Sequence, residues 1–330
     1  MSKARQLADL GNVYDDGGIS GSNLLINGNM EIAQRGSSQT TAGYGSIDRF
    51  VLSLSGATAT MSQESFTIGQ TDVAGSDKYL KLDVTTGNNN SGIYYRVEAK
   101  DAFPAINKQV TLSYYAKGTS PTNGLEVAIA WYDGSTLSSY ASTTVTLTST
   151  WTKYTHTFDV PSISGLTLTN AAAFLEVHWG QADTDTGTSA YEVNLAQAKL
   201  EIGDTATPFE HPRSYGDELA RCERYYQQWT AGGTTPYLAT GRNHSSTQSI
   251  FSLTYRTEMR GRPTLYISST SDIRVYDGND RTCTGITLNG NAFNTCGFNV
   301  TGLSSGVGNN YAAQAYFIST NGYFALDAEL

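Results

Sequence analysis

The sequence predicts an all-β protein: a jelly-roll β-sandwich, then a short helix, then a second small β-sandwich domain. Three observations support this prediction. Short segments with alternating apolar and polar residues recur between turn signals, and the composition is rich in Gly (33) and Tyr (21) with 15% charged residues. Alternation with a period of two is typical of strands that bury one face of a sheet. A length of 330 residues is typical of two domains.

We divide the chain into four segments. Residues 1–21 are too short to hold a fold of their own in water, so they either dock on another molecule or are disordered. Residues 22–210 form the jelly roll, 211–232 a connecting helix, and 233–330 a C-terminal β-domain.

The jelly-roll prediction depends on about nine strand-like segments without a long helix between them. They are NLLINGNMEIAQRG, RFVLSL, YLKLDV, GIYYRVEAK, VTLSYYAK, LEVAIAWYDG, WTKYTHTFDVP, FLEVHWG and YEVNLAQAKLEI. The alternation predicts which residues face inward, for example Ile93, Tyr95 and Val97 in the fourth segment. It slips after Leu195, which predicts a β-bulge in the last strand.

The connection between the domains begins where Pro208 and Pro212 end the last strand. Ser214 with Asp217 resembles a capping box and predicts the start of a helix. Apolar residues then recur every three or four positions and predict one helical stripe that packs on a sheet or on neighbouring copies of the chain. The stripe consists of Leu219, Cys222, Tyr226 and Trp229.

The C-terminal domain returns to short strands between turn signals such as DGND, NGN, GVGNN and TNG. The predicted strands are SIFSLTY, PTLYISS, DIRVYD, NAFNTCGFNV, YAAQAYFIS and GYFALDAEL. Cys283 and Cys296 in this domain either pair across a hairpin or are two ordinary buried thiols, and we favour the thiols. Cys222 is expected to be a small buried residue of the helix.

The charge of the chain excludes some partners. A formal net charge of −9 and a pI near 4.9 argue against binding to nucleic acid or to anionic lipid. No apolar run approaches the roughly 18 residues of a membrane span, so we expect no membrane insertion. The N-terminus lacks the apolar core of a secretory signal, which predicts that the protein is made and assembled in a cytoplasm.

The sequence shows no catalytic motif. The four histidines (His156, His178, His211 and His244) are scattered without a metal-ligand spacing, and no nucleophile motif is recognisable. We therefore expect no enzymatic activity. A carboxylate pair suited to glycoside hydrolysis is an alternative that the sequence leaves open.

Outward-facing residues of the predicted sandwich have the chemistry of a sugar-binding surface. Aromatic rings cover the apolar faces of a sugar, and amides, carboxylates and arginines supply directional hydrogen bonds. The outward set is Tyr94, Arg96, Tyr115, Glu126, Tyr132, Glu176 and His178. The alternative is that these tyrosines merely cover the sheet or lie in a subunit interface.

Three segments resemble the jelly-roll carbohydrate-binding modules of glycan-degrading enzymes and phage fibres: NLLINGNMEI, WTKYTHTFDVP and YEVNLAQAKLEIG. The resemblance implies a structural calcium held with the help of Glu31. The acidic residue that often accompanies it in the closing strand is not evident here, where Asn194 and Gln197 occupy that neighbourhood.

The segment LEIGDTATPFEHPRSYGDELARCERYY closely resembles part of bacteriophage tail fibre and receptor-binding proteins. YRTEMRGRPTL and ALDAEL resemble their C-terminal domain, and SKARQLADLGN resembles the segment by which such fibres attach to the virion. The resemblance implies a homotrimer on the phage tail, bound through residues 1–21 to a tail or adaptor protein, with residues 233–330 as a receptor-binding tip. No residue-level receptor site transfers from this family.

The sequence therefore favours a non-catalytic virion protein that attaches a bacteriophage to host-surface glycan. Two alternatives come from other classes. One is a structural tail adaptor or decoration protein without sugar binding, and the other is a depolymerase of capsular or cell-wall polysaccharide.

Overall fold

The computed structural model describes residues 23–330 except 90, 139, 170, 183, 212–213, 233–235, 305–307 and the side chain of residue 291. The predicted attachment segment, residues 1–21, and the predicted strand-ending Pro212 lie outside the described residues. The chain divides into two compact units, the first ending at Glu218 and the second running from Leu219 to Glu329, while Leu330 groups with the first.

The first unit is a β-sandwich of jelly-roll type, as predicted. Its strands are β1 (Ser38–Gln39), β2 (Phe50–Ser53), β3 (Thr58–Ser65), β4 (Lys78–Thr86), β5 (Gly92–Glu98), β6 (Gln109–Thr119), β7 (Leu125–Tyr132), β8 (Ala141–Val145), β9 (Thr152–Asp159), β10 (Phe174–Gly180) and β11 (Tyr191–Ile202). A short helix, α1 (Ala99–Ala102), and a 3-10 turn (Phe103–Ala105) lie between β5 and β6.

Two antiparallel sheets enclose the core of this unit. One has the order β1-β3-β4-β11-β6-β9 and the other β2-β5-β10-β7-β8. The predicted inward residues Ile93, Tyr95 and Val97 lie in the space between the sheets, together with the fully buried Trp131 and Trp179. Each strand of the second sheet therefore turns one set of side chains to the core and the other set away from it.

The segment NLLINGNMEIAQRG does not form the predicted strands. The Asn27 side chain donates to the carbonyl oxygens of Ile32 and Asp48 and accepts from the Ile32 amide. These bonds hold a series of turns in which Asn27 has a φ of 60°. Asparagine tolerates this left-handed backbone because its short side chain bonds locally. The alternation also missed β1, β3 and β8, which contain few large apolar residues.

The predicted bulge in the last strand is confirmed. The register of β11 against β6 shifts between Ala196 and Lys199, and Gln197 adopts a φ of 48°. The Gln197 amide donates to the Ala74 carbonyl at 2.8 Å and to the Ser76 hydroxyl at 2.9 Å, which satisfies the side chain at the bulge.

The connecting helix is shorter than predicted. Helix α2 (Tyr215–Glu223) begins as expected, since the Asp217 amide donates to the Ser214 hydroxyl at 3.1 Å. Tyr226 and Trp229, however, lie on a strand, β12 (Tyr226–Thr230), which pairs with the last strand of the chain, β21 (Tyr323–Asp327). The prediction of one helical stripe is wrong beyond Cys222, because tyrosine, tryptophan and threonine favour strands and pairing with β21 overrides the helical spacing.

The second unit is the predicted small β-sandwich. Its further strands are β13 (Tyr237–Ser245), β14 (Gln248–Thr254), β15 (Thr264–Ile267), β16 (Ile273–Tyr276), β17 (Asp280–Arg281), β18 (Gly285–Asn291), β19 (Thr295–Thr301), β20 (Ala312–Phe317) and β21 (Tyr323–Asp327), with a 3-10 turn at Thr270–Asp272. They form a sheet of order β12-β21-β15 and a sheet of order β17-β16-β20-β13-β14-β19-β18.

The core of the second unit is separate from that of the first. It contains Phe251, Phe298 and Phe324. The centroid of the Phe298 ring lies 5.1 Å from that of Phe251 and 5.0 Å from that of Phe324. Cys283 and Cys296 are buried thiols of this core, as favoured above. Across the part of the chain that is described, no helix has the length and apolar character needed to cross a lipid bilayer.

Candidate functional site

Three neighbouring strands of the five-stranded sheet bring six of the seven predicted residues onto one face. The central strand β10 places Glu176 opposite Arg96 and His178 opposite Tyr94 on β5. Directly opposed residues of antiparallel strands share a face of the sheet. These four side chains therefore lie side by side on the face that points away from the core.

The third strand, β7, completes this face. Glu126 lies opposite Gly180, and Tyr132 lies opposite Phe174 at the other end of β10. Between Glu126 and Tyr132 the same face carries only Ala128 and Ala130. Because alanine projects a single methyl group, the middle of the face is left as a depression.

Tyr115 does not belong to this face. It lies on β6 in the six-stranded sheet, opposite Ala196 and Lys153. The prediction that it joins the other six residues is wrong, because alternation shows which side of its own strand a residue occupies but not which sheet the strand enters.

The depression is an open cleft of about 90 Å³. Its lining comprises Tyr94, Glu126, Ala128, Ile129, Ala130, Leu137, Tyr140, Glu176 and His178. Leu137 and Tyr140 come from the loop between β7 and β8, and the Tyr140 side chain is 48% exposed. Neither residue could be predicted from the sequence, since a loop has no alternation that shows in which direction a side chain points.

Hydrogen bonds to Asp133 hold the start of this loop. The Asp133 carboxylate accepts from the backbone amides of Ser135, Thr136 and Thr167 at 2.9, 2.6 and 3.1 Å. These bonds favour the charged form and hold the pKa of Asp133 well below its usual range. The wall that carries Tyr140 is therefore built on a fixed turn.

His178 lies at the base of the cleft as a buried, neutral ring. It is 6% exposed and stacks on Tyr94, with ring centroids 4.3 Å apart and planes at 17°. Burial lowers the pKa of His178 to about 3, although Nδ1 lies 3.7 Å from the Glu126 Oε2 atom, which favours the protonated form. Within the described residues, the buried Nε2 atom has no hydrogen-bond partner.

A glycine pair makes room for this histidine. Gly180 lies directly opposite Gly92. A Cβ atom on Gly180 would lie 2.3 Å from the Ser91 carbonyl oxygen and 2.5 Å from His178 Nε2. Both distances are too short for a side chain, so only glycine allows the strands and the imidazole to approach this closely.

Arg96 and Glu176 form an ion pair at the other side of the cleft. Arg96 Nε lies 3.4 Å from Glu176 Oε2, and the guanidinium carbon lies 4.7 Å from the centre of the Phe174 ring. Arg96 Nη1 also donates to the Leu330 carbonyl oxygen at 2.6 Å. Burial raises the pKa of Glu176, and the nearby arginine partly offsets this increase.

The cleft thus combines tyrosine rings, two carboxylates and a neutral imidazole around a floor of alanines. Counted at their formal charges, Glu126, Glu176 and the neighbouring Arg96 sum to −1. Rings that cover apolar faces next to carboxylate acceptors are the arrangement expected for a neutral polyhydroxylated ligand.

Comparison with known proteins gives structural neighbours only: no protein-family model and no curated protein matches this chain. A putative sugar binding protein from Bacteroides thetaiotaomicron is 14% identical with a TM-score of 0.33, over 55% of this chain and 100% of that chain. The CBM22-1 xylan-binding domain of Paenibacillus barcinonensis Xyn10C is 14% identical with a TM-score of 0.31, and the match covers 57% of this chain and 98% of that domain. The C-terminal family 22 carbohydrate binding module of Clostridium thermocellum Xyn10B is 13% identical with a TM-score of 0.32, over 54% and 100%.

Glu31, the predicted calcium ligand, is half-buried, and burial raises its pKa. Among the described residues, no three His, Cys, Asp or Glu side chains are grouped as a metal site would require. Calcium binding at Glu31 stays a prediction.

The residues predicted for oligomer contact have different environments. Cys222 and Tyr226 are buried in the single chain, while Leu219 and Trp229 are half-buried. Trp229 packs edge-on against Phe324 and lies 4.7 Å from the Arg256 guanidinium carbon. Subunit contact through these residues also stays a prediction.

Proposed function

We propose that this chain binds a host-surface glycan without cleaving it, through the cleft on β5, β10 and β7, as a tail-fibre or receptor-binding protein of a bacteriophage. The observation that carries glycan binding is the cleft itself. Its tyrosine rings, carboxylates and alanine floor lie on the outer face of a sheet whose other face fills the core. Such a mostly apolar depression with a few polar groups suits a small polyhydroxylated ligand.

The placement of the carboxylates supports a non-catalytic role. Glu126 lies opposite Gly180, four positions along β10 from Glu176. At about 3.3 Å per residue, their Cα atoms are offset by roughly 13 Å along the strands. Glycoside hydrolysis needs two carboxyl groups that act together on one glycosidic bond. Here Glu176 lies near Arg96 and Glu126 near His178, so each carboxylate has its own neighbour.

The virion role is supported by the resemblance of residues 199–226 to phage fibres. It implies a homotrimer, attachment through residues 1–21 to a tail or adaptor protein, assembly in the host cytoplasm and a possible structural calcium at Glu31. An antiserum against the chain should label phage tails and block adsorption to the host. Tail labelling without any effect on adsorption would favour a structural adaptor instead.

The cleft is tested with an array of oligosaccharides and three variants of the full chain. Ala128→Trp fills the cleft, and Tyr140→Ala removes an exposed ring from its wall. Thr155→Trp introduces the same side chain at an exposed position of the six-stranded sheet and serves as the control.

We expect Ala128→Trp to lower the affinity for ligands of the cleft by a hundredfold or more, and Tyr140→Ala by about tenfold, which corresponds to about 1.4 kcal/mol. The Thr155→Trp control should bind as the unmodified chain does. Equal binding by all three variants would show that the cleft is not the site. Release of shorter sugars on incubation, lost in Glu176→Gln, would instead show an enzyme.

The trimer is tested by sedimentation of the full chain. A stable monomer at micromolar concentration would contradict it. Trp229→Ala should shift the equilibrium towards monomers if Trp229 contributes to the subunit contact.

A further inference from the structure

The seven-stranded sheet of the second unit carries a row of aromatic and charged side chains on its outer face. Tyr316 on β20 lies opposite Tyr237 on β13 and opposite Arg274 on β16. Tyr276 follows two positions after Arg274 and lies opposite Asp280 on β17. We call these five residues the tyrosine strip.

All five side chains point away from the core. Ile273 and Val275, which alternate with Arg274 and Tyr276, are fully buried in the second core. Since successive residues of a strand point to opposite faces, the members of the tyrosine strip face the solvent side. The Tyr237 side chain is 63% exposed and that of Tyr276 is 43% exposed.

The strip is fixed by its own contacts. The Tyr316 hydroxyl donates to Asp280 Oδ1 at 2.6 Å, and the rings of Tyr237 and Tyr316 lie 6.1 Å apart at 59°. Burial, together with Asp280, raises the pKa of Tyr316 to about 12. The Tyr316 ring is therefore held in place beside Tyr237, whose exposed ring can contact a ligand through its face or its edge.

Arg274 supplies an unsatisfied donor within the strip. Its Nε atom is buried and has no hydrogen-bond partner among the residues that the structure describes. A buried donor without a partner costs free energy, so a rotation of the half-buried Arg274 side chain that turns Nε towards a ligand oxygen adds a hydrogen bond which the protein alone does not make.

We propose that the tyrosine strip is a second saccharide-binding site, distinct from the cleft of the first unit, and that it takes a neutral saccharide. Exposed tyrosine rings cover the apolar faces of sugar rings, while Arg274 and Asp280 supply one donor group and one acceptor group for hydroxyls. The charges of Arg274 and Asp280 cancel, so the strip has no net attraction for an acidic sugar.

The area of the strip favours a small ligand over a protein. An aromatic side chain buries roughly 150–250 Å² when fully covered. The exposed fractions of Tyr237 and Tyr276 therefore offer about 250 Å² at most, well below the roughly 800 Å² that each partner buries in a standard protein interface. A few rings with adjacent hydrogen-bonding groups match a short oligosaccharide.

The test uses the full chain and an array of neutral oligosaccharides of glucose, galactose, mannose and N-acetylglucosamine. Binding is measured in the cleft-filled variant Ala128→Trp, so that the first site does not contribute. Into this background we introduce Tyr237→Ala with Tyr276→Ala. The matched control is Tyr266→Ala, a tyrosine of the three-stranded sheet of the same unit that is 54% exposed.

We expect the cleft-filled chain to retain at least one neutral oligosaccharide of the array. The double tyrosine variant should weaken this binding tenfold or more, and Tyr266→Ala less than twofold. Arg274→Lys should also weaken it, because lysine keeps the charge but lacks the Nε–H donor of the planar guanidinium. Both tyrosines are exposed, so the double tyrosine variant should fold, and a melting curve checks the folding of every variant.

Three outcomes would overturn the proposal. The cleft-filled chain could bind none of the neutral oligosaccharides, or it could bind them unchanged after loss of both tyrosines. The double variant could also reduce the sedimenting mass of the assembly while leaving sugar binding unchanged, which would make the strip a contact between copies of the chain. If Ala128→Trp binds no oligosaccharide while the unmodified chain does, the cleft is supported as a binding site and only the second site is rejected.

Discussion

Tyr94 in the cleft of the first unit and Tyr237 in the tyrosine strip of the second are the same residue type at opposite degrees of burial. In the cleft, Tyr94 is 8% exposed and stacks flat on a neutral histidine. In the strip, Tyr237 stands 63% exposed beside a second ring. Buried rings shape a cavity and stabilise the sheet, while exposed rings contribute mainly to binding.

The two regions also differ in how their charges are arranged. The cleft holds one arginine between a carboxylate and a phenyl ring, and its carboxylates outnumber its cations. The strip holds one arginine and one aspartate with a donor left over on Arg274. Both arrangements suit neutral sugars, but only the strip has an arginine Nε that lacks a partner within the described residues.

The largest expected effect separates the two kinds of tyrosine. Tyr94→Ala should lower the free energy of unfolding of the first unit by about 3 kcal/mol, since it removes a buried ring and with it the stacking contact to His178. Tyr237→Ala should change that of the second unit by no more than about 0.5 kcal/mol, because its ring is exposed. Denaturant titrations of the full chain measure both. Equal losses would contradict the comparison.

The burial of Tyr94 decides which substitutions in the cleft change binding without changing stability. Strand alternation predicts that Tyr94 and Tyr132 both face outward. In the structure Tyr94 is buried, so its loss would affect binding and stability together. Tyr140 is the cleaner probe of the cleft, because its ring is exposed and comes from a loop.

The next effect concerns His178 and pH. Its folded-state pKa of about 3 lies below its ordinary value of 6.5, so between these pH values the unfolded chain takes up a proton that the folded chain does not. His178 alone should therefore lower the free energy of unfolding of the first unit by about 1.4 kcal/mol for each pH unit as the pH decreases below about 6.5.

His178→Gln isolates this contribution from the other groups that titrate, such as His156, whose pKa is also lowered by burial. Unfolding curves between pH 7 and pH 4.5 should show a shallower pH dependence in the variant than in the unmodified chain. No second-unit tyrosine variant should alter the slope. Identical slopes for the two chains would show that His178 is solvated and charged in the fold.

Much of the first unit could be predicted from alternation. The alternation predicts the segments of β2, β4, β5, β6, β7, β9, β10 and β11, and the inward set of β5 lies in the core. Alternation fixes a side of a strand because successive Cβ atoms point in opposite directions. It therefore placed six of the seven candidate residues on one face of the sheet, and four of them line the cleft.

What alternation could not predict depends on long-range pairing. Tyr115 has the right parity but lies in the other sheet, since strand order is set by contacts between distant segments. Tyr226 and Trp229 fit a helical spacing yet pair with β21, almost one hundred residues later. Tyr140 lies on a loop fixed by Asp133 and has no periodic signal at all.

The smallest expected effect tests the fixed geometry of the strip. Tyr316→Phe keeps the ring but removes the hydroxyl that donates to Asp280. Because Asp280 is exposed, water replaces this bond, and the free energy of unfolding of the second unit should fall by about 0.5 kcal/mol. Binding of the neutral saccharide should weaken two- to threefold, since the ring is no longer held beside Tyr237. A loss as large as that from Tyr237→Ala with Tyr276→Ala would show that the hydroxyl itself, rather than the ring position, contacts the sugar.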